Sequence, residues 1–168
     1  MKTVDQSAKC TESAAPATAQ TARSTGTGAS SASASGCAAM GSAARDAVVR
    51  EALDGYVNQT YRSLRYGTRL DAVEAVPPAL RTIFALSNRV RPYNKYLEWE
   101  LRHHPLEDWT AEELLPLISR VLTGEPAAQH ELFNRLEAPA RREGFGDVVD
   151  GWEPDVAWLR GEAGYREP

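Results

Sequence analysis

The amino-acid sequence predicts an all-α protein: an antiparallel bundle of five to six helices that follows a disordered N-terminal tail. Two observations support this fold class. From residue 45 onward, apolar residues recur every three or four positions, as along one face of an amphipathic helix. No segment alternates apolar and polar residues as a strand would. Because the intervening loops are short, successive helices are expected to pack as antiparallel neighbours.

The composition of the chain changes near residue 45. Residues 1–44 are mostly Ala, Ser, Thr and Gly, and such a segment buries too little apolar area to offset the entropy that it loses on ordering. We therefore expect a disordered tail at 1–44, a helical domain at 45–160 and a flexible C-terminus at 161–168. Three interpretations of the tail stay open: a flexible tether, a transit peptide, or a start that does not belong to the native protein.

The charge and the cysteines narrow the class of protein. The formal net charge is −4 over 168 residues, so no broad basic field is expected and nucleic acid is not an expected partner. No apolar run approaches the roughly 20 residues that span a bilayer, and no secretory signal is present, so a cytoplasmic location without membrane contact is expected. Cys10 and Cys37, both in the tail, indicate neither a disulfide framework nor a metal site.

The first two predicted helices form the N-terminal part of the domain. The first runs from Arg45 to a stop at Gly67, and the second begins near Arg69. Pro77-Pro78 interrupts the second helix. A proline inside a helix removes a backbone hydrogen bond and clashes with the preceding turn. The sequence therefore predicts a kink, or two shorter helices that divide near Val76.

The C-terminal half of the domain contains the clearest helix signals. Thr110 and Glu113 have the spacing of a capping box, and Gly124 is a stop for the helix that follows. The remaining predicted segments are a helix at 126–142 with Gly144 as its cap and a helical segment at 147–159 that is broken at 152–154.

The third predicted helix, at 91–104 with Pro92 in its first turn, has the most unusual composition. Aromatic and apolar residues alternate with charged ones along it. One interpretation is an aromatic core stripe with a solvated charged side. The other is the wall of a pocket, since Tyr and Trp offer a stacking surface with a polar tip. The residues concerned are Arg91, Tyr93, Lys95, Tyr96, Leu97, Glu98, Trp99 and Glu100.

Two weaker candidates for chemistry lie elsewhere. Asp147 and Asp150 share a helix face and could bind a metal ion. The alternative is that they are acidic residues of a first helical turn, where negative charge interacts favourably with the helix dipole. His103 and His104 stand near Glu100, and a His–carboxylate pair can act as a general base. Histidines at a helix end also complement the helix dipole, which is the simpler interpretation.

Several segments resemble a known family. Tyr56-Val-Asn-Gln-Thr-Tyr-Arg-Ser-Leu64, Leu80-Arg-Thr-Ile-Phe-Ala-Leu86 and Arg89-Val-Arg-Pro-Tyr-Asn-Lys-Tyr-Leu97, followed by Trp99-Glu-Leu101, resemble the C-terminal helical part of bacterial nucleotidyltransferase-domain proteins. These are small relatives of the aminoglycoside nucleotidyltransferases, within the polymerase-beta-like superfamily. The resemblance covers about residues 46–160.

The resemblance implies a catalytic half that is not found in this sequence. In the family, an N-terminal α/β domain has a Gly-Ser turn and then an Asp-x-Asp pair, which holds the Mg²⁺ that bridges the nucleotide phosphates. Here Gly41-Ser42 is followed only by Asp46, and no Asp-x-Asp occurs in the chain. No metal ligands are therefore assigned. Magnesium and nucleotide are expected only together with a catalytic domain.

The resemblance also implies the site residues and the function. The expected substrate-binding residues are Arg91, Tyr93, Lys95, Tyr96 and Trp99, with Lys95 on a phosphate and Glu100 as the catalytic acceptor base. The first hypothesis is a nucleotidyltransferase-like protein that retains only the substrate-side domain and is inactive alone. The second is a helical interaction module whose exposed apolar surface binds a catalytic domain or a second copy. The third is a fragment of an active nucleotidyltransferase with a misassigned start.

Overall fold

The computed structural model describes residues 41–164, and within this range every regular element is a helix. The all-α prediction is therefore confirmed. None of these helices is long and apolar enough to cross a membrane. The predicted tail lies outside the described residues up to residue 40, and Ser42 already begins the first helix. The elements are α1 (Ser42–Tyr66), α2 (Arg69–Leu86), a 3₁₀ turn (Asn94–Tyr96), α3 (Leu97–His103), α4 (Ala111–Leu122), α5 (Pro126–Arg142), α6 (Gly146–Asp150) and α7 (Val156–Leu159).

Helices α1 and α2 form a long antiparallel pair. The turn between them places Gly67 in the left-handed region at φ 65°, and its N–H donates to the Ser63 carbonyl, which confirms the predicted stop. At the far end of the pair, Arg45 of α1 donates to the carbonyls of Ala85 and Leu86 at 3.1 and 3.0 Å. The first turn of α1 thus caps the last turn of α2 and fixes where α2 ends.

Helix α2 is continuous through its two prolines, so the predicted division near Val76 is wrong. In an α-helix, Pro77 and Pro78 leave the carbonyls of Val73 and Glu74 without their usual N–H donors. Both of these residues are solvent-exposed, so water can bind the freed carbonyls. Packing along α1 then keeps the helix in one piece, because the apolar face of α2 stays buried on both sides of the prolines.

Helices α4 and α5 form a second antiparallel pair. The capping box is present: the Thr110 hydroxyl accepts from the Glu113 N–H, and the Glu113 carboxylate accepts from the Thr110 N–H. Two ion pairs join the helices in antiparallel register, Arg135 with Glu113 at 3.2 Å and Arg120 with Glu131 at 2.8 Å. The predicted bounds of α5 are also confirmed.

A single apolar core joins the two pairs and the short C-terminal helices. Tyr56 of α1 stacks on Phe133 of α5 with ring centroids 6.5 Å apart, and both side chains are buried. Tyr61 of α1 lies against Trp152 and Trp158, so the segment of α6 and α7 is packed onto α1. The other large, fully buried side chains are Phe84, Leu53, Ile83, Leu101, Leu114, Leu132, Leu136, Leu159, Val49 and Val57.

Candidate ligand-binding site

The segment between α2 and α3 is not helical over the range that was predicted. The helix begins at Leu97 instead of near Pro92, and Tyr93 has an extended backbone at φ −60° and ψ 146°. The reason lies upstream. Asn88 ends α2 in the left-handed region at φ 54°, and the Arg89 N–H donates to the Phe84 carbonyl. Residues 89–93 form no regular element, and the residue before Pro92 is disfavoured in the helical region.

This path places aromatic residues around an open groove. Its lining residues, here called the aromatic groove, are Pro92, Tyr93, Tyr96, Trp99 and Glu100, and its volume is about 530 Å³. Tyr93 is 82% exposed, Trp99 53% and Tyr96 50%. The interpretation as a core stripe is therefore wrong, since Leu101 is the one buried residue of α3. The structure brings together four of the six predicted site residues.

An ion pair that the sequence did not reveal holds the groove in place. Arg89 binds the carboxylate of Glu100 and also donates to the His104 carbonyl at 2.6 Å. The side chains of Arg89 and Glu100 are only 17% and 16% exposed. The guanidinium of Arg89 also lies 5.5 Å from the centre of the Phe84 ring. Arg89 thus connects the middle and the C-terminal end of α3 to the end of α2.

The two predicted cationic residues lie beside the groove. The Lys95 Nζ is 4.6 Å from the centre of the Tyr96 ring, so an exposed cation stands over an aromatic face. Arg91 is not part of the groove lining, and its Nη2 binds the side-chain oxygen of Asn94. Arg91 and Lys95 share a second depression of about 700 Å³, which Pro92 and Tyr93 also line. The aromatic groove is therefore continuous with a cationic rim.

The two histidines extend the aromatic wall. The ring of His103 stacks on Trp99 with centroids 4.5 Å apart, and the ring of His104 meets Trp99 edge-on at 5.7 Å. The His103 Nδ1 lies 2.8 Å from the Trp99 carbonyl, one turn back on α3. A carbonyl only accepts, so this nitrogen is the donor. His103 therefore donates to a backbone carbonyl within α3 and packs against the Trp99 ring.

Asp147 and Asp150 are held by separate arginines. Asp147 binds Arg50 at 2.6 Å, and Asp150 binds Arg141 at 2.7 Å. The hydrogen bond from Arg50 holds the pKa of Asp147 below its ordinary value. Within residues 41–164, no three His, Cys, Asp or Glu side chains come close enough together to hold a metal ion.

The comparisons with known proteins add no relative. The chain matches no protein-family model, no curated protein and no solved structure. The nucleotidyltransferase resemblance and the roles that it implies therefore stay predictions. The candidate site is defined by geometry alone: exposed aromatic side chains on α3 and the turn before it, held to the bundle by Arg89 and Leu101.

Proposed function

We propose that residues 45–160 are the substrate-side domain of a nucleotidyltransferase-like protein, and that the aromatic groove binds the planar base of a nucleotide. One observation supports this proposal above the others: Tyr93, Tyr96 and Trp99 line one groove, and each is at least half exposed. Stacking of a base on an aromatic side chain contributes about 1–3 kcal/mol and tolerates every base, because each has a π-face.

The position of these rings favours a ligand over a structural role. A seven-residue helix has little stability of its own and depends on tertiary contacts. Here those contacts come from Leu101 and Arg89, while the aromatic rings remain in solvent. Large exposed apolar groups that add nothing to the core are typical of a binding surface.

The polar groups at the groove suit the rest of such a ligand. Lys95 at the rim is the proposed contact for a phosphate of the bound nucleotide, as the resemblance implies. Glu100 stays the candidate acceptor base, and its bond to Arg89 fixes the position of its carboxylate in the lining. Glu100 has a positioning role in either case, since it anchors α3.

Adenosine tests the groove without involving any phosphate contact. Trp99→Ala and Tyr93→Ala are each expected to raise the Kd of adenosine about tenfold, since each removes a stacking surface. Isothermal titration with the full chain measures this, and Tyr66→Ala is the matched control because Tyr66 is 64% exposed on α1, outside the groove. Equal losses of adenosine affinity in all three variants, or no saturable binding of adenosine by the native chain, would contradict the proposal.

The proposal also predicts that this chain does not transfer nucleotides by itself. Transfer of this kind requires closely spaced carboxylates for Mg²⁺, and the sequence has no Asp-x-Asp pair. We expect no Mg²⁺-dependent release of pyrophosphate from nucleoside triphosphates above the protein-free rate. Release that disappears in Glu100→Ala would show that the chain is a complete enzyme.

A further inference from the structure

Three arginines line a third depression near the aromatic groove. It lies between α1, the end of α2 and the segment that follows α2, and its volume is about 310 Å³. This surface, here called the arginine depression, is lined by Val48, Arg81, Ala85, Arg89, Val90 and Arg91. Such a concentration of positive charge is unexpected in a chain whose net charge is −4.

The positive charge of the arginine depression is only partly balanced. Arg89 is neutralised by Glu100, as described above. Arg81 has only a loose ion pair with Glu51, at 3.5 Å between two largely exposed side chains. Arg91 binds the neutral amide of Asn94. The charge of Arg91, which no carboxylate balances, and the weakly paired charge of Arg81 therefore lie in one small depression.

Arg91 has an unsatisfied donor as well as an unbalanced charge. Its Nε is shielded from solvent and has no hydrogen-bond acceptor within the described part of the chain. Burial and the neighbouring charge of Arg81 lower the pKa of Arg91 from its ordinary value, so the two cations act on each other. A buried donor without an acceptor and two adjacent like charges both cost free energy, and one bound anion would relieve both costs.

We propose that the arginine depression binds the phosphate group of a ligand, with Arg81 and Arg91 as its direct contacts. A phosphate dianion can pair with the unbalanced charge of Arg91 and the weakly paired charge of Arg81, and its oxygens accept the paired N–H groups of a guanidinium. Arg89, fixed by Glu100, forms the wall of the site. This inference does not depend on base binding in the aromatic groove.

Inorganic phosphate is the direct probe. Isothermal titration of the full chain, at constant ionic strength set with chloride, is expected to show saturable binding with a Kd on the order of 1 mM or below. Arg81→Gln and Arg91→Gln should each raise that Kd at least about tenfold. Arg102→Gln is the matched control, since Arg102 is an exposed arginine of α3 outside the depression. Absent binding, or equal affinity in all variants, overturns the proposal.

Thermal unfolding separates a ligand site from a structural role for Arg91. Because its Nε has no acceptor, Arg91→Gln should unfold without phosphate at the same temperature as the native chain or higher. Phosphate should raise the Tm of the native chain and leave that of Arg91→Gln unchanged. A lower Tm of the phosphate-free variant would mean that Arg91 stabilises the empty bundle, which would contradict our assignment.

Adenosine monophosphate identifies the source of the phosphate group. Tighter binding of the monophosphate than of inorganic phosphate, with the gain lost in Trp99→Ala, assigns the group to a nucleotide that occupies both surfaces. Equal affinity of the two probes assigns the site to free phosphate or another phosphate ester. Failure of adenosine to bind would overturn the proposal for the aromatic groove and leave the phosphate site standing.

Discussion

Replacing Glu137 by alanine is expected to lower the free energy of unfolding by about 3 kcal/mol. Glu137 of α5 is 7% exposed and accepts hydrogen bonds from two arginines. Arg141 binds it from the next turn of α5 at 2.6 Å, and Arg160 binds it at 2.5 and 2.8 Å from beyond α7. The alanine variant leaves both cations without their buried acceptor. The cost lies at the lower end of the range for a broken buried pair, since both arginines keep some contact with water.

The same carboxylate makes stability depend on pH. Burial acts to raise the pKa of Glu137, but the hydrogen bonds from Arg160 and Arg141 outweigh it and hold the pKa below its ordinary value. A folded pKa below the unfolded one means that the unfolded state binds more protons as pH falls. The contribution of Glu137 to stability is therefore fully present above its unfolded-state pKa of about 4.3. It is lost as pH falls through the lower pKa of the folded state.

Urea unfolding of the full chain between about pH 7 and pH 3 measures both effects. Glu131→Ala is the control, because Glu131 lies on the same helix and binds Arg120 in an exposed ion pair. We expect Glu131→Ala to lower the free energy of unfolding by less than about 1 kcal/mol. Below about pH 5, the free energy of unfolding of Glu137→Ala should fall less steeply with decreasing pH than that of the native chain. Equal losses in the two variants would mean that Glu137 is no more than a surface ion-pair partner.

The helix ends that local chemistry determines could be predicted from the sequence. The capping box of Thr110 and Glu113 and the glycine stops at Gly67 and Gly144 depend only on residues within one turn, and all are present. Of the two outcomes predicted for Pro77-Pro78, a kink or two shorter helices, the division is wrong for a reason that lies beyond one turn. Whether a proline divides a helix depends on the solvent exposure of the carbonyls that it frees, and this follows from tertiary packing.

The candidate site was predictable only where its residues are close in sequence. Tyr93, Tyr96, Trp99 and Glu100 lie within eight consecutive positions, so the local pattern was enough to group them. Arg81 and Arg89 join the site because α2 ends at Leu86 and the chain turns at Asn88, just beyond it. Asn88, which adopts the left-handed conformation more readily than most residues, is the local signal for that turn, and the predicted helix began too early because that signal was not used.

Replacing Arg89 by methionine is expected to have the second-largest effect: a loss of about 2–3 kcal/mol in the free energy of local opening of α3, together with the loss of most adenosine binding. Methionine keeps the packing of the side-chain stem on Phe84 but leaves the Glu100 carboxylate and the His104 carbonyl without their donor. Helix α3 is too short to persist alone, and Leu101 is its one buried side chain. The order of the aromatic groove therefore depends on this one guanidinium.

Hydrogen exchange distinguishes this local effect from a general loss of stability. In Arg89→Met, amides of residues 94–104 should exchange faster at neutral pH, while those of α4 and α5 should change little. Arg102→Met is the matched control, since Arg102 has only exposed ion pairs with Glu98 and Glu112. Glu100→Gln should reproduce the faster exchange in part, because an amide oxygen still accepts from Arg89. Unchanged exchange at 94–104 together with lost adenosine binding would instead place Arg89 in direct contact with the ligand.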